Sequence, residues 1–307
     1  MEGRGALSVT GDWLAVSRQE SVNAEWRSML AAVLAALSSG MWGVADFLGG
    51  VASRRVGSTH VLLISYPAGA TLLTVVALWV VPGAITGEAV LLGLAAGCVG
   101  LAAIVLLYRA LVQGPMSIVS PITAVVAGAI PVGYGVLHGE RLGTVAVIGV
   151  LGAALAVVLA SYERGVTIAI SRITLFMSLG SGICIGAFLV VIGSAPEGTG
   201  IWAVVISRWW SALLILGFVL ATTRVRLPAR YPWVLVIAVG SLDALANAIF
   251  QLAAQQGMLS IVAVIGSLYP AATVVLAWVF LRERLAPVQV VGVLLALVSA
   301  ALLATAA

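Results

Sequence analysis

The residues best placed to do chemistry are three charged side chains inside long apolar runs of the sequence: Asp46, Arg208 and Asp243. In a membrane-spanning helix, a charge at the bilayer centre costs roughly 2.5–3.5 kcal/mol, so it normally faces the bundle interior or a water-filled cavity. A carboxylate in such a cavity can bind a proton or a cation. Asp46 and Asp243 are therefore the first candidates for substrate binding or proton coupling.

Asp243 begins a polar stripe on its predicted helix. Asn247 follows one turn later and Gln251 one further turn later, so the three side chains point the same way. We predict that this stripe lines a substrate cavity, and the alternative is a hydrogen-bond network that joins helices. Arg208 bears on the choice, because an Asp243 paired with Arg208 is ionised and structural, whereas an unpaired one can exchange a proton with substrate.

Asp46 lies near the end of the first apolar run, with Arg54 and Arg55 shortly after it. Two interpretations stand side by side for this carboxylate. It is either a proton or cation site, or it reaches the membrane interface and pairs with one of the two arginines.

Aromatic residues supply further candidates. Trp42, Tyr108 and Tyr269 are predicted to form an aromatic wall of the cavity. Tyr269 is followed by Pro270, and a proline inside a helix removes one hydrogen bond and leaves a carbonyl free. This dipeptide predicts either a broken helix beside the substrate or a simple kink.

Composition determines which elements can position these residues. The 307 residues are 62% hydrophobic and 8% charged, with a mean hydropathy of +1.19. Soluble domains average about 25% charged residues, so this chain cannot cover a globule with polar side chains, and it is far too apolar to stay disordered. The fold class predicted is an all-α membrane protein.

Several functions are disfavoured by the residues that are present. The net charge of +4 comes from arginines in short gaps, without the basic stripe and interleaved aromatics that indicate nucleic-acid binding. Cys98 and Cys184 are isolated in apolar runs, which predicts neither a disulfide nor a metal site. No Ser/His/Asp order, Walker loop or HExxH motif is found, so we expect no enzyme activity and no cofactor.

Apolar stretches of about 20 residues, the length that crosses a hydrocarbon core about 30 Å thick, recur from Met29 onward. Lipid offers no partner to free backbone groups, so each stretch is predicted to be a helix. The ten predicted spans are 29–51, 60–81, 88–108, 115–137, 142–162, 173–194, 200–222, 232–254, 259–281 and 286–306. Residues 1–28 are expected to be a poorly ordered polar cytoplasmic tail, and a misassigned start with initiation at Met29 is the alternative.

The two halves of the chain repeat each other at a constant offset of 143 in residue number. Four segments of the first half match in this way, namely Gln113-Gly114 with Gln256-Gly257, Ser117-Ile118-Val119 with Ser260-Ile261-Val262, Glu140-Arg141-Leu142 with Glu283-Arg284-Leu285, and Val147, Gly149, Val150 and Leu151 with Val290, Gly292, Val293 and Leu294. Ser39-Gly40 also matches Ser181-Gly182 at an offset of 142. A run of matches at one offset indicates a duplication. We predict a first repeat at 29–162, a linker at 163–172 and a second repeat at 173–306.

An odd number of crossings in each repeat has a geometric consequence. The second repeat of five helices enters the membrane from the side opposite to the first, which makes the pair an inverted repeat. Transporters use such repeats to alternate between outward-open and inward-open cavities, with the substrate near the midplane between them.

Taken together, residues 29–306 resemble the EamA-domain branch of the drug/metabolite transporter superfamily. The segments that carry the resemblance are Trp42-Gly43 with Asp46-Phe47-Leu48-Gly49-Gly50, Gly114-Pro115 with Pro121, Gly139-Glu140-Arg141-Leu142, Ser267-Leu268-Tyr269-Pro270 and Arg282-Glu283-Arg284-Leu285. The resemblance implies a ten-helix exporter-type carrier with cytoplasmic termini. It also implies a cavity lined by helices 1, 3, 4, 6, 8 and 9, and substrates that range over amino acids, other metabolites and drugs.

The arginine distribution conflicts with that orientation. With the N-terminus inside, four arginines are cytoplasmic (Arg4, Arg18, Arg27 and Arg141) and ten lie on the outer side, which is the reverse of the usual bias. We keep the cytoplasmic N-terminus on the breadth of the resemblance.

The function predicted is secondary transport of a small molecule. An exporter of a metabolite or drug is the first hypothesis, and an importer of a small nutrient such as a sugar or amino acid is the alternative. The expected partners are the substrate and the lipid bilayer of a bacterial inner membrane, without nucleic acid. A monomer and a homodimer are both compatible with the sequence.

Overall fold

The computed structural model describes residues 6–113, 116–162, 171–222, 232–281 and 285–306, and side chains for most of them. This part of the chain is helical. A single 3-10 turn, Glu197–Thr199, accompanies the α-helices α1 (Ala6–Val56), α2 (Ser58–Trp79), α3 (Gly87–Gln113), α4 (Met116–Leu137), α5 (Thr144–Ala160), α6 (Arg172–Gly193), α7 (Trp202–Thr222), α8 (Trp233–Ala254), α9 (Leu259–Gly266), α10 (Tyr269–Leu281) and α11 (Pro287–Ala306).

Eight segments of the described chain are long and apolar enough to cross a membrane. One of the eight, Leu259–Phe280, contains both α9 and α10. The two other spans predicted from sequence correspond to shorter apolar helices, Pro121–Leu137 and Thr144–Ala160. The exposed large side chains of these helices are mostly apolar, as expected of surfaces that face lipid rather than water.

Most predicted spans lie within a few residues of the observed helices, and two differ in kind. The first helix begins at Ala6 rather than at residue 29, because residues 6–28 continue α1. The ninth is interrupted at Ser267 and Leu268, so the broken helix, and not the simple kink, is the correct alternative. The predicted linker lies outside the described residues from 163 to 170.

Packing follows an approximate two-fold relation between the halves. When α1–α5 are exchanged with α6–α11, with α9 and α10 counted together, the contact of α1 with α8 becomes that of α6 with α3. In the same way, the contact of α2 with α8 becomes that of α7 with α3. The contact of α1 with α9 and α10 becomes that of α6 with α4. The remaining large contacts, α5 with α11, α2 with α7 and α4 with α9, map onto themselves.

Individual hydrogen bonds obey the same relation. The buried Ser38 hydroxyl donates to the carbonyl of Ala246 at 2.8 Å, and the buried Ser181 hydroxyl donates to the carbonyl of Ala103 at 3.0 Å. Ser38 and Ser181 are 143 positions apart, and so are Ala103 and Ala246, which is the offset of the main repeat. The equivalent of Ser181 is therefore Ser38, and the pairing of Ser39 with Ser181 is wrong by one position.

Close backbone contacts also come in pairs. A Cβ built on Gly97 would lie 3.0 Å from the carbonyl oxygen of Ser207, and one built on Gly240 would overlap the carbonyl of Ser65. Gly97 and Gly240 are equivalent at the offset of the main repeat, and Ser65 and Ser207 are equivalent at an offset one shorter. These small residues let α3 approach α7, and α8 approach α2, closely enough for dispersion and polar contacts to replace the missing hydrophobic driving force in lipid.

One end of the bundle is tied together by polar contacts between the halves. Arg27 forms a 2.6 Å ion pair with Glu197 and donates to the side chain of Gln256 at 3.1 Å. Nearby, the amide of Ala84 donates to the carbonyl of Gly198 at 3.0 Å. We call this set of contacts, together with the Glu140 contact described below, the tied end.

The tied end also supplies the missing cap of α9. The Glu140 carboxylate, on the segment between α4 and α5, accepts hydrogen bonds from the amides of Leu259 at 2.9 Å and Ser260 at 3.2 Å. The residue before α9, Met258, provides no side-chain cap. A carboxylate at a helix N-terminus satisfies free amides and complements the helix dipole. Glu140 thus caps a helix that belongs to the other half of the chain.

The glycine contacts predict that an added methyl group lowers stability only where it has no space. Gly240→Ala should lower the free energy of unfolding by about 1–3 kcal/mol, because its Cβ has no space beside Ser65. Gly217→Ala is the matched control, since a Cβ there meets nothing within 4 Å and an exposed helical glycine gains up to about 1 kcal/mol as alanine. Thermal unfolding in detergent compares the two, and equal midpoints would contradict the close α2–α8 contact.

Candidate functional site

The candidate site lies where α1 faces α8 and α10. Trp42 packs its ring against Phe250 of α8, with ring centroids 5.6 Å apart. Gly43 lies against α10, because a Cβ there would be 3.0 Å from the carbonyl of Tyr269. Asp46 is one turn further along the same face of α1.

Asp46 combines exposure with a position inside the bundle. Its side chain is exposed, and it interacts electrostatically with both Asp243 on α8 and Tyr269 on α10. Asp46 therefore lies near charged or polar groups on two neighbouring helices. Within the described part of the chain Asp46 has no ion pair and no hydrogen bond.

Asp243, by contrast, is neutralised. One of its oxygens, Oδ2, lies 2.7 Å from a terminal nitrogen of Arg208 on α7. The Arg208 side chain is 8% exposed and that of Asp243 is 34% exposed, so the guanidinium is buried behind the carboxylate. The guanidinium also lies 5.1 Å from the ring centre of Tyr66 on α2, within the range of a cation–π contact.

The ion pair uses only part of what the guanidinium can donate. The Nε atom of Arg208 is buried and has no partner among the described residues. A guanidinium carries five N–H donors, so this one is incompletely satisfied, which is a feature of sites that hold water or ligand as well as of strained cores.

The rest of the predicted stripe serves the framework. Asn247 is buried and donates to the backbone carbonyl of Asp243 at 2.6 Å and to its Oδ1 at 3.3 Å, which orients the carboxylate. Gln251 is fully buried, donates to the carbonyl of Gly200 at 2.7 Å and accepts from the amide of Val204 at 3.3 Å. Its amide therefore holds the start of α7, and this placement favours the structural alternative for Gln251.

The broken helix meets the site at its two half-helix ends. A Cβ built on Gly266, the last residue of α9, would lie 3.3 Å from the Trp42 ring and 3.5 Å from that of Phe250. Pro270 has no N–H, so the carbonyl of Gly266 lacks its usual donor four residues on. Tyr269, the first residue of α10, is partly buried beside Asp46.

The structure brings together most of the predicted residues and adds two. Trp42, Asp46, Asp243 and Tyr269 converge with Arg208, whereas the side chain of Tyr108 lies outside the described residues. Tyr66 and Phe250 belong to the site and were not predicted. The repeat carried a signal for Tyr66, which matches Arg208 in the same register that relates Ser65 to Ser207, but no period or motif marks Phe250.

The two-fold relation is broken at the charges. In the register of the main repeat, Leu189 corresponds to Asp46 and Gly100 corresponds to Asp243; Leu189 is buried, and the ring of Phe188 lies 3.1 Å from where a Cβ of Gly100 would be. The contact of α1 with α8 thus has charge and exposed space where the equivalent contact of α6 with α3 is apolar and filled.

A hollow in the described surface has a lining that shares no residue with the candidate site. It measures about 540 Å³ and is lined by Val275, Trp278, Leu285, Val290, Val293 and Leu294 of α10, α11 and the residues before α11. Such an apolar groove on the flank of the bundle suits lipid chains rather than a polar substrate.

Comparison with known families finds a match in the second half of the chain. Residues 172–305 match the model of the EamA-like transporter family. This confirms the resemblance to the EamA branch of the drug/metabolite transporter superfamily, and the match covers the second half of the chain, from α6 to α11. With the eight apolar segments, it supports a multi-pass membrane transporter.

Comparison with solved structures bears on the fold. One crystal structure aligns with 89% of this chain and 97% of its own, with a TM-score of 0.75 and 16% sequence identity. At this identity the likeness concerns the fold alone. None of the curated proteins compared with the chain matches it.

The ion pair predicts non-additive effects of substitution. Breaking a buried pair by removing one partner costs about 3–5 kcal/mol, and the exposure of Asp243 reduces this to about 2–3 kcal/mol for Asp243→Asn. The double variant with Arg208→Met should be more stable than the sum of the two single losses by about 0.5–3 kcal/mol. Denaturation in detergent measures this cycle, and strictly additive losses would show that the two groups do not interact.

Proposed function

We propose that this protein is a secondary transporter that exports a small metabolite or drug by alternating access between two inverted five-helix repeats. The single observation that supports this most strongly is an exposed carboxylate, Asp46, that has no ion pair among the described residues and lies inside an apolar bundle whose described helices pack as two exchangeable halves. A transporter needs such a group between its halves, because each half has to reach the substrate in turn.

Inversion of the repeats rests on the number of crossings. We count α4 and α5 as crossings and α9 with α10 as one, which gives five in each half. Equivalent helices then run in opposite directions, and the shared hydrogen bonds of Ser38 and Ser181 lie at opposite depths. Exchange of conformations between the halves would convert one access state into the other.

Proton coupling is assigned to Asp46. From the sequence Asp243 is the better cavity candidate, but its charge is balanced by Arg208 at 2.7 Å. Asp46 is free to take up a proton or a cation from the space that it faces. Intramembrane carboxylates of this kind serve as proton relays in pumps and transporters, so a proton gradient is the energy source that Asp46 can use directly, and a substrate gradient is the alternative.

An importer of a small nutrient such as a sugar or amino acid remains the second candidate. The geometry that we describe serves either direction of transport. We favour export because the family resemblance is to exporter-type carriers, and vesicles of known sidedness distinguish the two.

We also propose a bacterial inner-membrane location with both termini in the cytoplasm, which puts the tied end inside. His138, at the end of α4, and Thr59, at the start of α2, are both exposed, and this topology places them on opposite sides. In a background with Cys98 and Cys184 replaced by serine, Thr59→Cys should react with an impermeant maleimide in intact cells. His138→Cys should react only after permeabilisation, and the opposite pattern would reverse the topology.

Transport itself is tested by proton exchange. In proteoliposomes with an imposed pH gradient, addition of a transported amino acid, amine or dye should dissipate the gradient, as followed by a pH-sensitive fluorophore. Asp46→Asn should reduce this signal to that of empty vesicles, because the amide cannot bind a proton. Glu88→Gln, which removes an exposed carboxylate in the first turn of α3, is the matched control and should keep the full signal. Full activity of Asp46→Asn would remove Asp46 from the coupling.

A further inference from the structure

We infer that the site between α1, α8 and α10 selects an organic cation, an amine or quaternary ammonium attached to an apolar or aromatic body. The inference deepens the proposed function, because it names the substrate class of the same site, and its transport aspect depends on that proposal.

The first argument is the balance of charge. Asp46 and Asp243 contribute two carboxylates and Arg208 contributes one guanidinium, so the cluster keeps one uncompensated negative charge when both carboxylates are ionised. In a bundle with few other charges, that excess attracts a cation and repels an anion of any shape. An anionic substrate would have to add a second unbalanced charge to the site.

The second argument is which group reaches the open space. The guanidinium of Arg208 is 8% exposed and stands behind Asp243, so it is not presented to an incoming molecule. Asp46 is exposed, and Asp243 shows about a third of its side chain. The groups that a substrate meets are therefore carboxylates, and the arginine serves to fix one of them.

The third argument is the surrounding aromatic surface. Trp42 lies one turn from Asp46 on the same face of α1, and its ring is tilted against that of Phe250. Tyr269 approaches Asp46 from α10. Aromatic faces beside a carboxylate bind ammonium groups through the ring quadrupole, within about 6 Å of the ring centre, and they accommodate the apolar body of the same molecule.

The fourth argument comes from the helix break. The C-terminal end of α9 carries the negative end of a helix dipole, and the carbonyl of Gly266 has no donor at its usual position because residue 270 is proline. The rings of Trp42 and Phe250 both lie beside this glycine. Half-helix C-terminal ends and unwound carbonyls favour cations in membrane proteins, so the backbone and the side chains favour the same sign of charge.

The test uses three ligands that each carry a phenyl ring on a short carbon chain and that differ in the charge of the head group. Phenethyltrimethylammonium is a fixed cation, phenylalanine a zwitterion and 3-phenylpropionate an anion. Purified full-length protein in detergent should bind the cation saturably by calorimetry, with an increase in Tm. Phenylalanine and 3-phenylpropionate should bind at least about tenfold more weakly, equivalent to about 1.4 kcal/mol.

Variants then assign the selectivity to Asp46. Asp46→Asn should raise the Kd for the cation at least about tenfold, Asp46→Glu should retain most of the affinity, and Glu88→Gln should leave it unchanged. The unliganded Tm of each variant verifies that it is folded. Tighter binding of phenylalanine or 3-phenylpropionate than of the cation, or an unaltered Kd for Asp46→Asn, would overturn the inference.

Failure of the inference and failure of the proposed function give different results. Cation binding that depends on Asp46, without exchange flux in proteoliposomes, supports the substrate class and contradicts transport. Proton-coupled flux of a zwitterion or an anion that the cation does not inhibit supports transport and contradicts the substrate class.

Discussion

A guanidinium inside an apolar bundle has to be neutralised, and the pairing of Arg208 with Asp243 determines what the rest of the site can do. Because a lone buried charge is far more costly than a paired one, this ion pair joins α7 to α8 and fixes the direction of the Asp243 carboxylate, which Asn247 orients further. Among the described residues Asp46 has no such partner, so the two carboxylates of the candidate site differ in their surroundings.

The two halves share a packing framework and differ at a few positions in the candidate site. The serine hydrogen bonds and glycine contacts are shared by both halves, so they belong to the framework that an exchange of the halves would preserve. The charges are not shared, since Leu189, Tyr66 and Gly100 occupy the positions equivalent to Asp46, Arg208 and Asp243. A symmetric framework with an asymmetric site can keep one mode of motion while its binding chemistry changes freely.

The sequence predicts most of the helices, because the length of an apolar stretch is nearly enough to identify a helix that crosses a lipid bilayer. It also identifies Asp46, Asp243 and Trp42, since a charge or an aromatic residue in such a run is conspicuous. It does not reveal that α1 begins at Ala6, where hydropathy carries no membrane signal. Gln251 shows a second limit of prediction from sequence. Its spacing places it on the polar stripe, but the spacing does not tell whether its amide binds substrate or the start of α7, because that depends on tertiary contacts.

The cap of α9 makes one helix depend on the opposite half of the molecule. Its first amides find their acceptor in Glu140, and the chain just before the helix offers no side chain to replace it. Any separation of the halves at that end would expose these amides to water and would also break the other contacts of the tied end, from Arg27 to Glu197 and Gln256 and from Ala84 to Gly198. A single carboxylate at the rim thus links the order of α9 to the packing of the other half against it.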